Sequence, residues 1–315
     1  MPVKRITQFA GKAVLDWEPG DPIPDPTTTI PRISATDVWR SGRAGNEKFQ
    51  QFLADSASRT VTGLIFGLQA QTTEHYSNEI VQALVEHREH FPHLKALFLG
   101  DILMEESEIS WIGLGDVSPI FTAYPQLEHF GIRGCASAYT PPGLYLGILQ
   151  HERLKTLIVE TGSMDRSVVY DILRSHLPAL EHLELWTGSE DYLANVTSED
   201  FAPLFMDILF PNLRYLGLRD SEIANDLAIA LSQSSLLERL RVLDLSLGLF
   251  DDTGAAALLQ CPATHTLEKL DIHHHYCSQE MVQRLQTLGI EVDTSEPQES
   301  DFYDGEEQRY VAVSE

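Results

Sequence analysis

The sequence predicts an α/β chain: an open parallel β-sheet made of stacked strand–helix units, helices along its outer side, with a cap at each end. Three observations carry that expectation. A six-residue pattern recurs as LKALFL (94–99), LEHFGI (127–132), LKTLIV (154–159), LEHLEL (180–185), LRYLGL (213–218), LRVLDL (240–245) and LEKLDI (267–272), with VTGLIF (61–66) as a weaker copy. Successive starts lie 26 to 33 residues apart, and a fixed period of that size marks stacked supersecondary units. Inside the copies apolar and polar residues alternate, as where Leu243 and Leu245 flank Asp244, which is the mark of a strand with one wet face. Between the copies lie helical patterns, and parallel strands need such long crossovers.

Taken in order, residues 1–60 stand outside the repeat and read as an N-terminal cap. ITQFAGKAVLDWE alternates around a glycine, as a hairpin does. Residues 18–31 carry Pro19, Pro22, Pro24, Pro26 and Pro31 and read as an extended loop. ISATDVWR (33–40) reads as a returning strand and NEKFQQFLADS (46–56) as a helix. The solenoid follows at 61–288, with about eight repeats. Its helical stretches are 77–91, 167–177, 201–210, 222–234, 253–261 and 278–288; in the first, Ile80, Val81, Leu84 and Val85 share a face. Residues 289–315 are an acidic segment ending in RYVAV (309–313). The alternation of Tyr310, Val311 and Val313 predicts a last strand that closes the sheet.

Eight strand–helix units would also suit a closed barrel. Barrel strands are buried on both faces and read as continuous apolar runs. Here position 5 of a copy is Glu184, Asp244 or Asp271, and position 3 is His129, Thr156, His182, Tyr215 or Lys269. Unpaired carboxylates inside a barrel would cost several kcal/mol each, whereas an open sheet leaves them in water. The expectation is therefore an open horseshoe. The LxxLxLxxN/C pattern, with Cys135 at the ninth position of its copy, resembles the leucine-rich repeat. Gly162, Gly188, Ser221, Gly248 and His275 depart from it at that position. Repeat length and helical crossovers resemble the ribonuclease-inhibitor-like class, in a bacterial-type family. The resemblance covers about three quarters of the chain. It implies a scaffold that binds a protein on a concave sheet.

Composition narrows the function classes. Lys and Arg number 22 against 47 Asp and Glu, a formal net charge of −25. That field repels nucleic acid and anionic membrane and complements a basic protein, although solubility alone also accounts for it. No stretch is long enough to span a membrane, and MPVKRITQF lacks the apolar run of a secretory signal. Three cysteines suggest no disulfide framework, so a cytoplasmic protein is expected. A monomer is favoured.

Chemistry-bearing clusters are few. HHHYC (273–277) offers His273, His275 and Cys277 as ligands, but the set lacks a clear third and fourth member at metal spacing. Its other reading is a polar turn with Ser278 capping the next helix. Asp244 and Asp271 share position 5 of consecutive strands, which would place them about 5 Å apart and split their pKa values; a solvated pair relieved by Lys269 and Arg241 is the plainer reading. His129 and His182 lie two strands apart and cannot share a metal. Cys135 and Cys261 read as small buried apolar residues, and Trp17, Trp39 and Trp111 as packing. No nucleophile elbow, phosphate loop, dinucleotide fingerprint or HExxH is present. The expected partner-binding residues are His182, Glu184, Trp186, Tyr215, Arg219, Asp244 and Asp271, with Gly217 leaving room for close approach. No cofactor, metal or catalytic residue is expected. Against this non-enzymatic scaffold stand a metal-dependent or acid–base enzyme using the concave carboxylates and the His273–Cys277 cluster, and an acidic structural subunit of a larger complex.

Overall fold

The structure, a computed structural model, describes residues 3–35, 45–69, 73, 76–136, 143–206 and 209–313. Among these, twelve strands form one open sheet in strict chain order. The cap supplies β1 (Gln8–Phe9), β2 (Lys12–Asp16) and β3 (Thr29–Ile33). The eight copies supply β4 (Gly63–Phe66), β5 (Ala96–Leu99), β6 (His129–Arg133), β7 (Thr156–Glu160), β8 (His182–Gly188), β9 (Tyr215–Ser221), β10 (Val242–Asp244) and β11 (Lys269–Asp271). The far edge is β12 (Glu291–Asp293). Within this sheet only β1 and β2 pair antiparallel, through a two-residue turn in which Ala10 and Gly11 both have positive φ, the conformation tight hairpins prefer.

Register stacks equivalent positions. Leu216, Leu243 and Leu270 lie side by side, as do Gly217, Asp244 and Asp271. Positions 4 and 6 of each copy point to the core: Leu97, Leu99, Leu183, Leu185, Leu216, Leu218, Leu243, Leu245, Leu270 and Ile272 are all fully buried. Each such burial contributes roughly 1.5–3 kcal/mol. They pack against α1 (Gly45–Ala54), α2 (Tyr76–Glu86), α3 (Ser118–Ala123), α4 (Arg166–Leu173), α5 (Ala202–Phe205), α6 (Ala224–Ser232), α7 (Asp252–Gln260) and α8 (Gln279–Leu285), whose buried residues belong to the same core. This is an open leucine-rich-repeat-like solenoid, and the sheet does not close into a barrel.

Three expectations shift. The third strand comes earlier than 33–40 and includes Pro31; β3 pairs with β4 only from Arg32 onward, beyond the residue that has no N–H to donate. Residues 36–40, with Trp39, lie outside the described residues. The segment 309–313 is not a strand: β12 edges the sheet, a separate hairpin of β13 (Asp301–Tyr303) and β14 (Glu306–Gln308) follows, and 309–313 runs back across the strand ends. The helix expected at 201–210 is described only as α5, which a 3₁₀ turn at Ser198–Phe201 precedes directly.

Candidate functional site

Because strand side chains alternate, positions 3, 5 and 7 face away from the helices, toward the side expected to be concave. That face has two halves. Over β3–β6 it is apolar: Ile30, Ile65, Ala96 and Phe98 are buried beneath Phe9 and Val14 of the hairpin. The Phe9 and Phe98 rings meet edge to face at 5.7 Å, and Phe98 lies over Gly131 so closely that a Cβ there would meet its ring at 2.2 Å. Over β8–β12 the face is polar.

The polar half holds all seven expected residues; six of them form one network, and Asp271 stands beside it on the next strand with partners of its own. Arg219 is its centre. Its Nη1 lies 2.7 Å from Glu184 Oε1, its Nε 3.3 Å from Asp244 Oδ2 and 2.9 Å from Ser246 Oγ. Tyr215 donates its O–H to Asp244 Oδ2 at 2.7 Å, and the His182 ring stacks on it with centroids 3.8 Å apart. Trp186 donates Nε1–H to Glu184 Oε1 at 2.8 Å while the Arg219 guanidinium sits 5.3 Å over its ring. Next along, Asp271 bonds His273 Nδ1 at 2.7 Å and lies 3.0 Å from Lys269 Nζ.

Water was expected to solvate these carboxylates, but Glu184, Asp244 and Asp271 are only 6%, 5% and 8% exposed. Protein groups do the compensating. Arg241 takes no part, lying instead 3.6 Å from Glu268 on the exposed edge; Arg219 and Tyr215 hold Asp244. Gly217 leaves no gap either, because the Tyr215 ring and the Glu184 stem occupy the space a Cβ would enter. Trp186 is 5% exposed, packed with Ile109, Leu247 and Val313, so it forms floor where an accessible anchor was expected. The partly exposed members are His182, Tyr215, Arg219, Lys269 and His273.

The charges are split as a row of neighbouring carboxylates requires. Burial pushes the Glu184 carboxyl up, but Arg219 and the Trp186 and His182 contacts outweigh it and bring it to about 2. Burial raises Asp244, and Asp271 and Glu184 add to that against the pull of Arg219. For Asp271, burial is overcome by the His273 and Lys269 bonds, which hold it well below the usual carboxylate range. Burial with Glu184 and Asp244 nearby raises the Tyr215 phenol.

Asp271, His273 and Asp293 each offer a ligand atom within 4.8 Å of the others. Lys269 Nζ already sits among them, 3.0 Å from Asp271 and 3.8 Å from Asp293, so a cation would have to displace it. The remainder of HHHYC does not converge there. His275 accepts the Cys277 N–H at Nδ1 and bonds the Thr294 carbonyl through Nε2; His274 meets the Tyr310 carbonyl. Burial pushes the Cys277 thiol up to about 12. Ser278 caps α8 by accepting the Met281 N–H. His129 bonds Thr156 at 2.9 Å and lies apart from His182.

A second network was not anticipated. Asp101, fully buried, lies 2.6 Å from Arg32 Nη1 and 3.3 Å from Arg133 Nη1, and Arg133 pairs in turn with Glu160. Arg5 donates to the Asp101 carbonyl and pairs with Glu106, tying the N-terminal segment across these strand ends. The partners are up to 101 residues apart along the chain, so no local pattern marks them. One signal was available: Arg133 and Glu160 follow consecutive copies at position 7 with opposite sign.

No protein-family model matches this sequence, and no curated protein matches it. Among solved structures, a Bacteroides fragilis protein determined by a structural genomics consortium superposes with a TM-score of 0.77. It is 33% identical over 85% of this chain and 74% of its own. The chain belongs to the same family as that Bacteroides fragilis protein. Membership carries the fold and no activity. An internalin from Listeria monocytogenes aligns at 15% identity over 76% of this chain and 75% of its own, with a TM-score of 0.27, too weak a likeness to support an argument. No helix among the described residues is long and apolar enough to cross a membrane.

Proposed function

We propose that this protein is a non-enzymatic interaction scaffold of the ribonuclease-inhibitor-like class, binding a protein partner on the polar half of its helix-free face. One observation carries the reading. The groups that could do acid–base chemistry, Glu184, Asp244 and Asp271, are buried and already held by Arg219, Tyr215, His273 and Lys269. What remains accessible is a rim of His182, Tyr215, Arg219 and Lys269, residues suited to recognition, with Tyr and Arg the types that anchor interfaces. The apolar half is covered by the chain's own hairpin, which leaves the polar half for a partner. The formal charge of −25 favours a basic one. Three free cysteines support a reducing, cytoplasmic setting.

The test starts with capture from lysate at low and moderate salt, followed by mass spectrometry. A specific basic protein retained at moderate salt supports the reading. Partners that all wash away steeply with salt would favour the acidic-subunit alternative, a polyanion mimic. Stoichiometric zinc, nickel or iron in untagged protein would favour the enzyme alternative.

A further inference from the structure

Residues 309–313 lie across the ends of β11, β10, β9 and β8 in that order. Arg309 pairs with Asp251 at 2.7 Å and sits 5.1 Å over the Tyr276 ring. The Tyr310 backbone exchanges two 3.0 Å bonds with the Tyr276 hydroxyl. The Ala312 N–H bonds the Leu247 carbonyl at 2.8 Å, and the Val313 N–H bonds Asp220 Oδ1 at 2.9 Å. Val311 and Val313 are buried, Val313 in a cluster with Ile109, Trp186 and Leu247 that Val3 also touches. The repeat builds this seat deliberately: Asp220, Leu247 and His274 occupy the eighth position of three consecutive copies, and each has a positive φ, at 48°, 69° and 58°. Non-glycine residues hold that conformation at a cost.

The arm does not exhaust the seat. Asp220 is fully buried, and its second oxygen, Oδ2, has no partner among the described residues; the same holds for the buried Thr187 and Ser221 hydroxyls beside it. A cavity of about 410 Å³ remains between the arm and the loops after β8 and β9, lined by Ser189, Asp191, Tyr192 and Glu222.

We propose that this rim is a peptide-binding track, occupied here by the chain's own C-terminal arm, and that it takes an extended segment of another protein with the same order: arginine, aromatic, apolar, small, valine. The backbone bonds read an extended chain, the Asp251–Tyr276 corner reads the arginine, and the Trp186–Leu247 pocket reads the terminal valine. The track adjoins the polar face and shares Trp186 with it, but it does not rest on that face being a partner surface.

The experiment uses the full chain and a fluorescein-labelled peptide of residues 307–315, followed by anisotropy. Val313→Asp should lift the arm by placing a charge against Trp186, and Val313→Ser should do so more gently. Wild type should bind the peptide at least tenfold more weakly than either variant, because its tethered arm competes at high effective concentration. Adding Asp220→Ala to the opened variant should weaken binding about fivefold. Circular dichroism melts establish which variants remain folded. A folded Val313 variant that binds no better than wild type would overturn the proposal, as would both variants failing to fold, since the arm would then be core. A wild-type dimer in sedimentation that Val313→Ser dissociates would also overturn it, in favour of arm exchange between two copies.

Discussion

Glu184 on β8 and Asp220 on β9 are both enclosed, yet they titrate in opposite directions. Burial alone would raise each. Arg219 reverses this at Glu184, with its Nη1 2.7 Å away. At Asp220 burial prevails over Arg219 and over the Val313 N–H, and the carboxyl stays well above its ordinary value. The signs follow by linkage. Glu184 contributes stability that is present above its unfolded pKa, about 4.3, and is lost as pH falls toward about 2. Asp220 contributes stability that is present below its unfolded pKa, about 3.9, and is lost as pH rises through its raised folded value. Asp220→Asn keeps the acceptor for Val313, tolerates the positive φ and cannot ionise. It should melt higher than wild type at pH 7, with the gap closing below about pH 4. Asp220→Ala should instead lose about 1 kcal/mol. Thermal melts from pH 3 to 8 decide this, and an Asn variant as weak as the Ala variant would mean the carboxyl is needed ionised. Glu184→Gln leaves Arg219 facing Asp244 alone. Urea unfolding at pH 7 should show a loss of about 3 kcal/mol.

At the scale of the element, the eight copies all became strands because their two signals agree: leucines toward the helices, polar groups away. Leu243 is fully buried in the three-residue strand β10. Leu243→Asp should unfold at least the units on either side, since a solenoid is held by nearest-neighbour interfaces. A soluble variant with unchanged melting would contradict that. The elements that misread did so for local reasons. Tyr310, Val311 and Val313 alternate like a strand, but the backbone around them bonds the Tyr276 hydroxyl, the Leu247 carbonyl and the Asp220 carboxyl, so the periodicity reflects valines seated on a rim. Pro31 suggested a loop, yet it sits where β3 has not begun to pair with β4. Helix α3 has six residues, too few to show a period of 3.6.

On the scale of the whole molecule, the sequence made the architecture legible and located the polar half of the face, because position within a repeat translates directly into position on the sheet. It could not show which side chains lie on top of which. Tyr215 folding over Gly217, Arg219 reaching both Glu184 and Asp244, and two chain ends crossing the strands are contacts between units, and nothing in a single copy encodes them. This changes which variants are informative. Tyr215→Ala would also take away the O–H that Asp244 accepts, so a loss of binding could follow from a loosened network. Trp186→Ala would leave a cavity under Val313 and lower stability by roughly 3 kcal/mol. His182 is the least disruptive choice: it stacks on Tyr215 with its Nε2 3.5 Å from Glu184, and without it Arg219 and Trp186 still hold that carboxylate.

The polar half of the sheet is the surface proposed here for the partner. Once capture has identified that partner, calorimetry of wild type against His182→Ala tests it most directly. Affinity should weaken by more than about 1 kcal/mol, with the melting temperature little changed. Equal affinity for both proteins would contradict it and move the site off this face.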